Sequence, residues 1–514
     1  MSSVKAMSCT SASTSEQMPA PILAVGQLPQ FHVVGFSGHR QLASADGAAK
    51  AIRAALELLQ RQAVGEWIAL SSVAGGSDQL FVQQARAIGL SWHAILPLPR
   101  LEFAQDFTAA EWTTVEETLA TADHLSVISE TGEREDAYLD CGIETVNDAD
   151  VLLVVWDGQP ARGKGGTADV VGYAKSIGKP VMIIDATTHE LRKENWTRLE
   201  LGDAALAELN KLPAAPSASA ENPFKAPDAV FSFQQKCDYA ASHGAPQFRR
   251  LIASTVVLHV IATLIASATL AYGLHLIALP WIEVLCITTA LGAALVLRQH
   301  LHSHHSWVRC RLAAEFCRSA LVTWGLPRAA PLLRDLDLAG VRGLARALYI
   351  LHSRFSAARP VPMDEFKRIY LEKRIDDQLA YYHRQVNRAL PLFNRLKVGF
   401  WVATSLALGF TACYAIVRTL GLGVPEWTQE TLFAFLPVTL PVLAASMISI
   451  ISINDLQRRV ARYREMQTLL EASRAQIAFC QTWNSLERVV LRTERALLQE
   501  VIEWHTIMSF SESH

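Results

Sequence analysis

The chain has 514 residues, half of them apolar and only 19% charged, with a formal net charge of −2. Such a balance gives no global field for nucleic acid, and the high apolar share argues against a wholly soluble protein. The eight Cys form no CxxC pair and several fall in apolar runs, which argues for reduced thiols and against a disulfide framework or a zinc site.

Residues 1–30 open on "MSSVKAMSCTSASTSEQMPAP", polar and lacking the apolar core of a secretory signal, and are expected to form a disordered tail. From residue 31 to about 185, strand-like runs alternate with helical stretches. "FHVVGFS" reads as a strand ending at glycine, and "AAKAIRAALELLQRQA" as a helix with Ile52, Leu56 and Leu59 on one face. "WIALSSVA", "SWHAILPLP" and "HLSVIS" are the next strands, separated by helices over "GGSDQLFVQQARAIG" and "FTAAEWTTVEETLATA". After a helix over "YLDCGIETVNDA" comes "DVLLVVWDG", apolar throughout and therefore buried on both faces. The helix of "GGTADVVGYAKSIG" stops at Gly178, and "KPVMIID" is expected to be the last strand. This alternation predicts an α/β, Rossmann-like parallel sheet with helices on both faces over 31–203. The Pro/Ala/Ser-rich stretch 204–240 reads as a linker.

Beyond it lie four apolar segments, roughly 251–273, 277–297, 398–418 and 432–453. Each is about as long as the ~20 helical residues that cross a bilayer. Arg249 and Arg250 precede the first, and Arg298, Arg309 and Arg311 follow the second. Arg395 and Lys397 precede the third, and Arg458, Arg459 and Arg462 follow the fourth. The basic ends share one side, which predicts cytoplasmic N- and C-termini and a cytoplasmic segment 299–395. The all-α membrane region divides into a first hairpin with its cytoplasmic helices, 241–395, and a second with C-terminal helices, 396–514. Each hairpin is followed by a charged amphipathic helix, as in a duplication.

Three glycine-containing turns follow strands: "GFSGHR" (Gly35, Ser37, Gly38, His39, Arg40), "AGGSDQ" (Gly75, Gly76, Ser77, Asp78) and "DGQPARGKGGTAD" (Asp157, Gly158, Gly165, Gly166, Thr167, Asp169). Ligands of open parallel sheets bind beyond the carboxyl ends of the strands, where such turns gather. Gly165, Gly166 and Thr167 at a helix start suit a phosphate, Arg40 a charge-assisted bond to it, and Asp78 and Asp157 the hydroxyls of a ribose or a base. No GxxxxGK[ST] loop occurs, so ATP hydrolysis is not expected. Within the fourth apolar segment Ser446, Ser449 and Ser452 form a polar stripe suited to helix packing or to a pore lining. His300, His302, His304 and His305 fit interfacial anchoring, and no metal site is expected. His259 lies deep inside a span, with Glu283 only at the start of the second, too little for ion-coupled transport.

"GFSGHR", "AGGSDQLF", "LPLPRLEFAQDF" and above all "DADVLLVVWDGQPARGKGGTADVVGYAKSIGKPVMIID" resemble the SLOG superfamily, the Rossmann-like group that includes LOG phosphoribohydrolases and DprA-type domains. "YLEKRIDDQLAYYHRQV" and the hairpin layout resemble SLATT domains, two-helix membrane effectors of bacterial conflict systems. The resemblance implies a nucleotide-derived, possibly NAD- or ADP-ribose-derived, signal as ligand, with no other cofactor. It also implies an oligomeric (dimeric or tetrameric) effector of the bacterial inner membrane that permeabilises it in antiphage defence. The alternative it leaves open is an N-glycoside hydrolase acting on a nucleotide. Enzymatic relatives carry a Glu two residues after the GGT; Asp169 stands there in this chain.

Overall fold

The computed structural model describes residues 25–129, 133–161, 163–216, 222–299, 301–326, 340–356 and 361–510. Its first half is a seven-stranded sheet in the order β4-β3-β2-β1-β5-β6-β7. The strands are β1 Phe31–Gly38, β2 Glu66–Ser71, β3 Ser91–Leu96, β4 His124–Val127, β5 Val151–Trp156, β6 Val181–Asp185 and β7 Leu191–Glu194. The first six are parallel, as the alternation predicts. β7 pairs antiparallel with β6, so "KPVMIID" is not the last strand. The sequence Leu-Arg-Lys-Glu of β7 has no apolar alternation; it is a short charged edge strand of the kind that blunts sheet-to-sheet pairing. The connecting helices are α1 Ala45–Gln62, α2 Ser77–Ala87, α3 Arg100–Phe103, α4 Ala109–Leu119, α5 Arg134–Asp148 and α6 Thr167–Ser176.

Side chains alternate across the strands, and the two faces are covered differently. Val34, Phe36, Trp67, Ala69, Trp92, Leu96, Leu153 and Val155 point to one face and pack with Ile52, Leu56 and Leu59 of α1 and Phe81 and Val82 of α2. On the other face, Leu152, Val154 and Ile183 pack under Val170, Val171 and Ala174 of α6. The remaining part of that face is Phe31, Val33, Ile68, Leu70 and Ile95 of β1, β2 and β3. It joins a core with Leu312, Phe316, Leu344, Ala345 and Leu348, all from beyond residue 300.

The stretch 204–240 is more structured than its composition suggests. A helix, α7 Ala204–Asn210, buries Leu206 and Leu209. The Asn210 side chain donates to the Leu28 carbonyl (2.9 Å) and accepts from its amide (3.0 Å), which pins Val25–Gln30 of the expected tail. Residues 1–24 and 217–221 lie outside the described residues. From Asp228 the chain enters α8, Asp228–Tyr272, followed by α9 Ala278–Gln299, α10 Leu301–Thr323 and α11 Arg342–Ser356. Two longer apolar helices follow, α12 Met363–Leu420, with a π-helical turn at Leu371–Asp376, and α13 Glu426–Ile453. The chain ends in α14 Leu456–Phe479 and α15 Trp483–Phe510.

Four helices are long and apolar enough to cross a membrane: Leu251–Tyr272, Ala278–Val296, α12 in its second half, and α13. Only 11–17% of each apolar window is buried, so most of these side chains face outward. Each half repeats one layout: a long helix, an apolar return helix packed on it, and a charged helix packed back on the long one, α8-α9-α10 and α12-α13-α14. Tyr272 and Thr431 join the two hairpins through a 3.1 Å hydroxyl bond.

Below the apolar region the hairpins are tied by buried charges. Arg374, in the π-helical turn, is 1% exposed, and Glu494 of α15 is fully buried. Nε and Nη2 of Arg374 donate to the two Glu494 oxygens at 2.9 and 2.6 Å, and the Tyr370 hydroxyl adds a 2.8 Å bond. Glu315 of α10 stands 3.8 Å from Nη1 of Arg374, which has no hydrogen-bond partner among the described residues, so that contact acts through charge alone. Glu315 also pairs with Arg318, which reaches Asp238 of α8. A buried ion pair is costly to break and cheap to replace as a unit. We therefore expect Glu494→Leu to lower stability by about 3–5 kcal/mol and the double change Arg374→Met, Glu494→Leu to recover most of that loss. Thermal unfolding of the detergent-solubilised protein measures both; equal destabilisation by the two variants would contradict the assignment.

Candidate functional site

In the order 4-3-2-1-5-6-7 the chain direction of winding reverses between β1 and β5, and crevices open beside such a switch point at the carboxyl ends of the strands. A cleft of about 830 Å³ lies there. The turn after β1 brings Ser37, Gly38, His39 and Arg40 to it, and the turn after β5 brings Asp157, Gly165, Gly166 and Thr167. Asp78 enters from the first turn of α2.

The two turns are held together. The Asp157 amide and one of its carboxylate oxygens stand 3.1 and 3.0 Å from His39 Nε2. The Asp157 carboxyl is held below its ordinary range, first by the Gln159 amide and then by His39. Its Oδ2 has no partner among the described residues. Asp78 is 3% exposed, and its Oδ2 accepts from Ser72 Oγ (2.8 Å) and the Ala74 amide (3.2 Å). Burial pushes its pKa up to about 6, against those hydrogen bonds. Arg40 lies between two rings, its guanidinium carbon 5.9 Å from Phe107 and 5.8 Å from Tyr138, and pairs with no carboxylate among the described residues.

At the start of α6 the amides of Thr167 and Ala168 have no hydrogen-bond partner among the described residues, while those of Asp169 and Val170 bond back to the Gly166 carbonyl. Two free amides at the positive end of a helix make an anion-binding corner. Gly165 shapes it with a left-handed φ of +80°. A Cβ there would stand 2.6 Å from the Leu139 amide of α5, which crosses directly behind the loop.

Some sequence-predicted residues do not line the cleft. Gly35 packs against α5, where a Cβ would sit 2.9 Å from the Thr145 carbonyl oxygen. Gly76 has φ +60° and lies against the Arg40 backbone, and Ser77 Oγ donates to the His39 carbonyl (2.9 Å). These two residues lock the second turn to the first; Gly75 and Gly158 also stay outside the lining. Asp169 is exposed, and its Oδ2 accepts from the Gly165 amide (3.0 Å), so it ties off the loop instead of facing a substrate. Ser446 and Ser449 donate back to the Leu443 and Ala445 carbonyls of their own helix, and Ser452 is exposed. His259 likewise bonds the Thr255 carbonyl. His300 lies outside the described residues, as do the side chains of His302, His304 and His305. Among the described residues no cluster could hold a metal ion.

The structure adds residues that the turn motifs do not contain. Tyr138, Cys141, Gly142 and Thr145 of α5 line the cleft, spaced i, i+3, i+4, i+7, the signature of one helix face. Burial pushes the Cys141 thiol well up, so it contributes volume and not nucleophilicity. Trp156 closes the far side.

Residues 370–504 match the family model of the SMODS and SLOG-associating 2TM effector domain 1. The match starts at the π-helical turn, takes in α13 and α14, and ends within α15, so both Arg374 and Glu494 belong to the effector-domain segment. That segment is similar to a two-helix effector domain, and the apolar parts of α12 and α13 lie within it. No curated protein matches the chain.

Two substitutions separate the roles in the cleft. If the cleft takes a phosphate, Arg40→Ala removes a charge-assisted bond of about 1.5–3 kcal/mol, and the dissociation constant of ADP-ribose used as the probe, measured by calorimetry, rises at least tenfold. Gly165→Ala should abolish binding, because the loop has to leave α5 to accept a Cβ. Wild-type affinity in both would contradict the phosphate corner.

Proposed function

We propose that the protein is a membrane effector of bacterial defence that senses a phosphorylated, nucleotide-derived ligand in the sheet-domain cleft and answers by permeabilising the inner membrane. The observation that carries this reading is the position of α5. One face of it lines the cleft through Tyr138, Cys141 and Thr145. Its last residue, Asp148, accepts from Arg346 of α11 through its carbonyl, and Asp150, just before β5, bonds Arg346 through its carboxylate at 2.5 Å. α11 belongs to the helical half that carries the effector-domain match.

A ligand phosphate fits the Thr167–Ala168 amides with Arg40 as its counter-charge, and Asp78 and Asp157 suit hydroxyl or base donors. The ligand shifts the effector only as far as its affinity differs between the two states. The Arg346 bonds to Asp148 at the end of α5 and to Asp150 just after it give such a difference a physical route. Termini on the cytoplasmic side follow from the basic residues flanking the spans, and the outward apolar surfaces of the four spans accommodate lipid and a second copy of the chain. Cleavage of an N-glycosidic bond has less support, because Asp169 is engaged with a loop amide and lies outside the cleft lining.

The test uses the whole chain in phosphatidylethanolamine–phosphatidylglycerol vesicles loaded with carboxyfluorescein. ADP-ribose, its cyclic form and cyclic dinucleotides are added singly, with the nucleotide analysed afterwards. Dye release by at least one of them, absent in the Arg40→Ala protein and with the nucleotide intact, is the expected result. Release of free base or ribose phosphate without leakage would replace the sensor reading by the hydrolase one.

A further inference from the structure

Of the carboxylates that line the cleft, Asp78, Glu135 and Asp157, Asp78 alone is buried, at 3% exposure. Its two oxygens stand in different surroundings. Oδ2 accepts from the Ser72 hydroxyl at 2.8 Å and the Ala74 amide at 3.2 Å. Oδ1 has no partner among the described residues, yet it is not closed off from solvent, so it is the oxygen that meets the cleft.

The neighbouring elements leave Oδ1 alone. Arg40, from the turn after β1, acts on the carboxylate by charge and forms no hydrogen bond with it. Cys141 of α5 turns its thiol to the Ile95 carbonyl at 3.4 Å. The turn after β2 spends its donors on Oδ2, and α2 carries no other charged side chain before Arg86. A binding site that holds an acceptor in this way disfavours any ligand that brings no donor to it, which is how sites reject analogues lacking one hydroxyl or N–H.

We propose, taking the cleft as the ligand site, that Asp78 is its specificity-determining residue: Oδ1 accepts a hydrogen bond from a hydroxyl or N–H of the ligand, and the cleft takes such a donor only while Asp78 is ionised. The Ala74 amide can only donate, so Oδ2 stays an acceptor in both protonation states. A proton taken up by Asp78 therefore goes on Oδ1 and turns the atom that faces the ligand from acceptor into donor. Burial places this exchange at about 6, within reach of neutral pH. A ligand donor favours the ionised form, so binding expels the proton and acid weakens binding.

The intact protein in lipid nanodiscs is titrated calorimetrically with ADP-ribose, whose phosphates do not titrate between pH 5 and pH 7. Asp78 is about nine-tenths protonated at pH 5, so the dissociation constant is expected to rise about tenfold from pH 7 to pH 5. At pH 6, paired buffers of different ionisation enthalpy should show release of about half a proton per ligand, a readout that needs no variant. Asp78→Asn, whose oxygen has to take the Ala74 amide, turns its NH2 to the cleft. It should bind at least tenfold more weakly at pH 7 and lose the difference in affinity between pH 5 and pH 7. His39 stands in both proteins, so what separates their pH profiles belongs to Asp78. Binding with the same affinity at both pH values, no proton release at pH 6, or an Asp78→Asn protein with the wild-type profile would each overturn the proposal and leave the cleft reading in place. Failure of ADP-ribose to bind at any pH tells instead against the cleft reading, and the proposal falls with it.

Discussion

A parallel sheet has to hide both faces, and this one hides part of its second face under a helix that belongs to the other half of the chain. Phe31, Val33, Ile68, Leu70 and Ile95 are all at most 8% exposed, with α11 and α10 as their cover. Burying each such side chain contributes about 1.5–3 kcal/mol, so the five together match the whole stability of an ordinary domain, roughly 5–15 kcal/mol. The sheet domain and the helical half are thus one folding unit with a common core. Polar contacts fix the register of that junction. Arg354 of α11 forms a two-pronged pair with Glu66, bonds Ser91 Oγ at 2.9 Å and lies 5.2 Å from the Phe31 ring. Tyr349 meets His124 at 3.2 Å. Asp203 caps α7 through the Leu206 amide and holds the Gly343 amide of α11 with its other oxygen. Each element at the seam is bonded to both sides.

On the proposed function, this arrangement sets the route a signal would take. A disordered tether between the cleft and the bilayer would transmit little strain. Helix α5, with one face in the cleft and its last residue bonded to Arg346, links the two sites through a single rigid element. The Arg374–Glu494 pair then sits where α11's own half meets the second hairpin. Buried at 1% and 0% exposure, it fixes one alignment of α12 on α15. We read the chain as three mechanical parts in series: an anion-binding corner, a shared seam and an ion-locked helix bundle.

Much of the α/β half was legible because its physics is local. Continuous apolar runs such as Val151–Val155 stop at glycines, and α1 shows its face at Ile52, Leu56 and Leu59. The apolar spans announce themselves by length. What stayed hidden depended on distant partners. The alternation in β1 and β2 shows that Val33 and Ile68 are buried, yet not that the cover comes from residues 342–356. The turn glycines looked alike in the sequence, but Gly35 and Gly76 satisfy steric needs of α5 and Arg40, while Gly165 faces the cleft. Asp169 stands in the third glycine turn like the cleft residues, yet its carboxylate accepts from the Gly165 amide of its own loop. The α5 face at 138, 141, 142 and 145 carries the period of a helix, and only the fold turns it toward the site. Charged β7 has a composition that usually marks a loop, and α7 stands beside the Pro/Ala/Ser-rich run that begins at Lys211.

The central claim is that the sheet cannot complete its core without α11. Expression of residues 25–216 alone, followed by thermal unfolding and dye binding to exposed apolar surface, tests it most directly. The account predicts an aggregating or loosely packed domain that binds the dye and lacks a cooperative transition. A soluble fragment that melts cooperatively at the temperature of the full chain would contradict it.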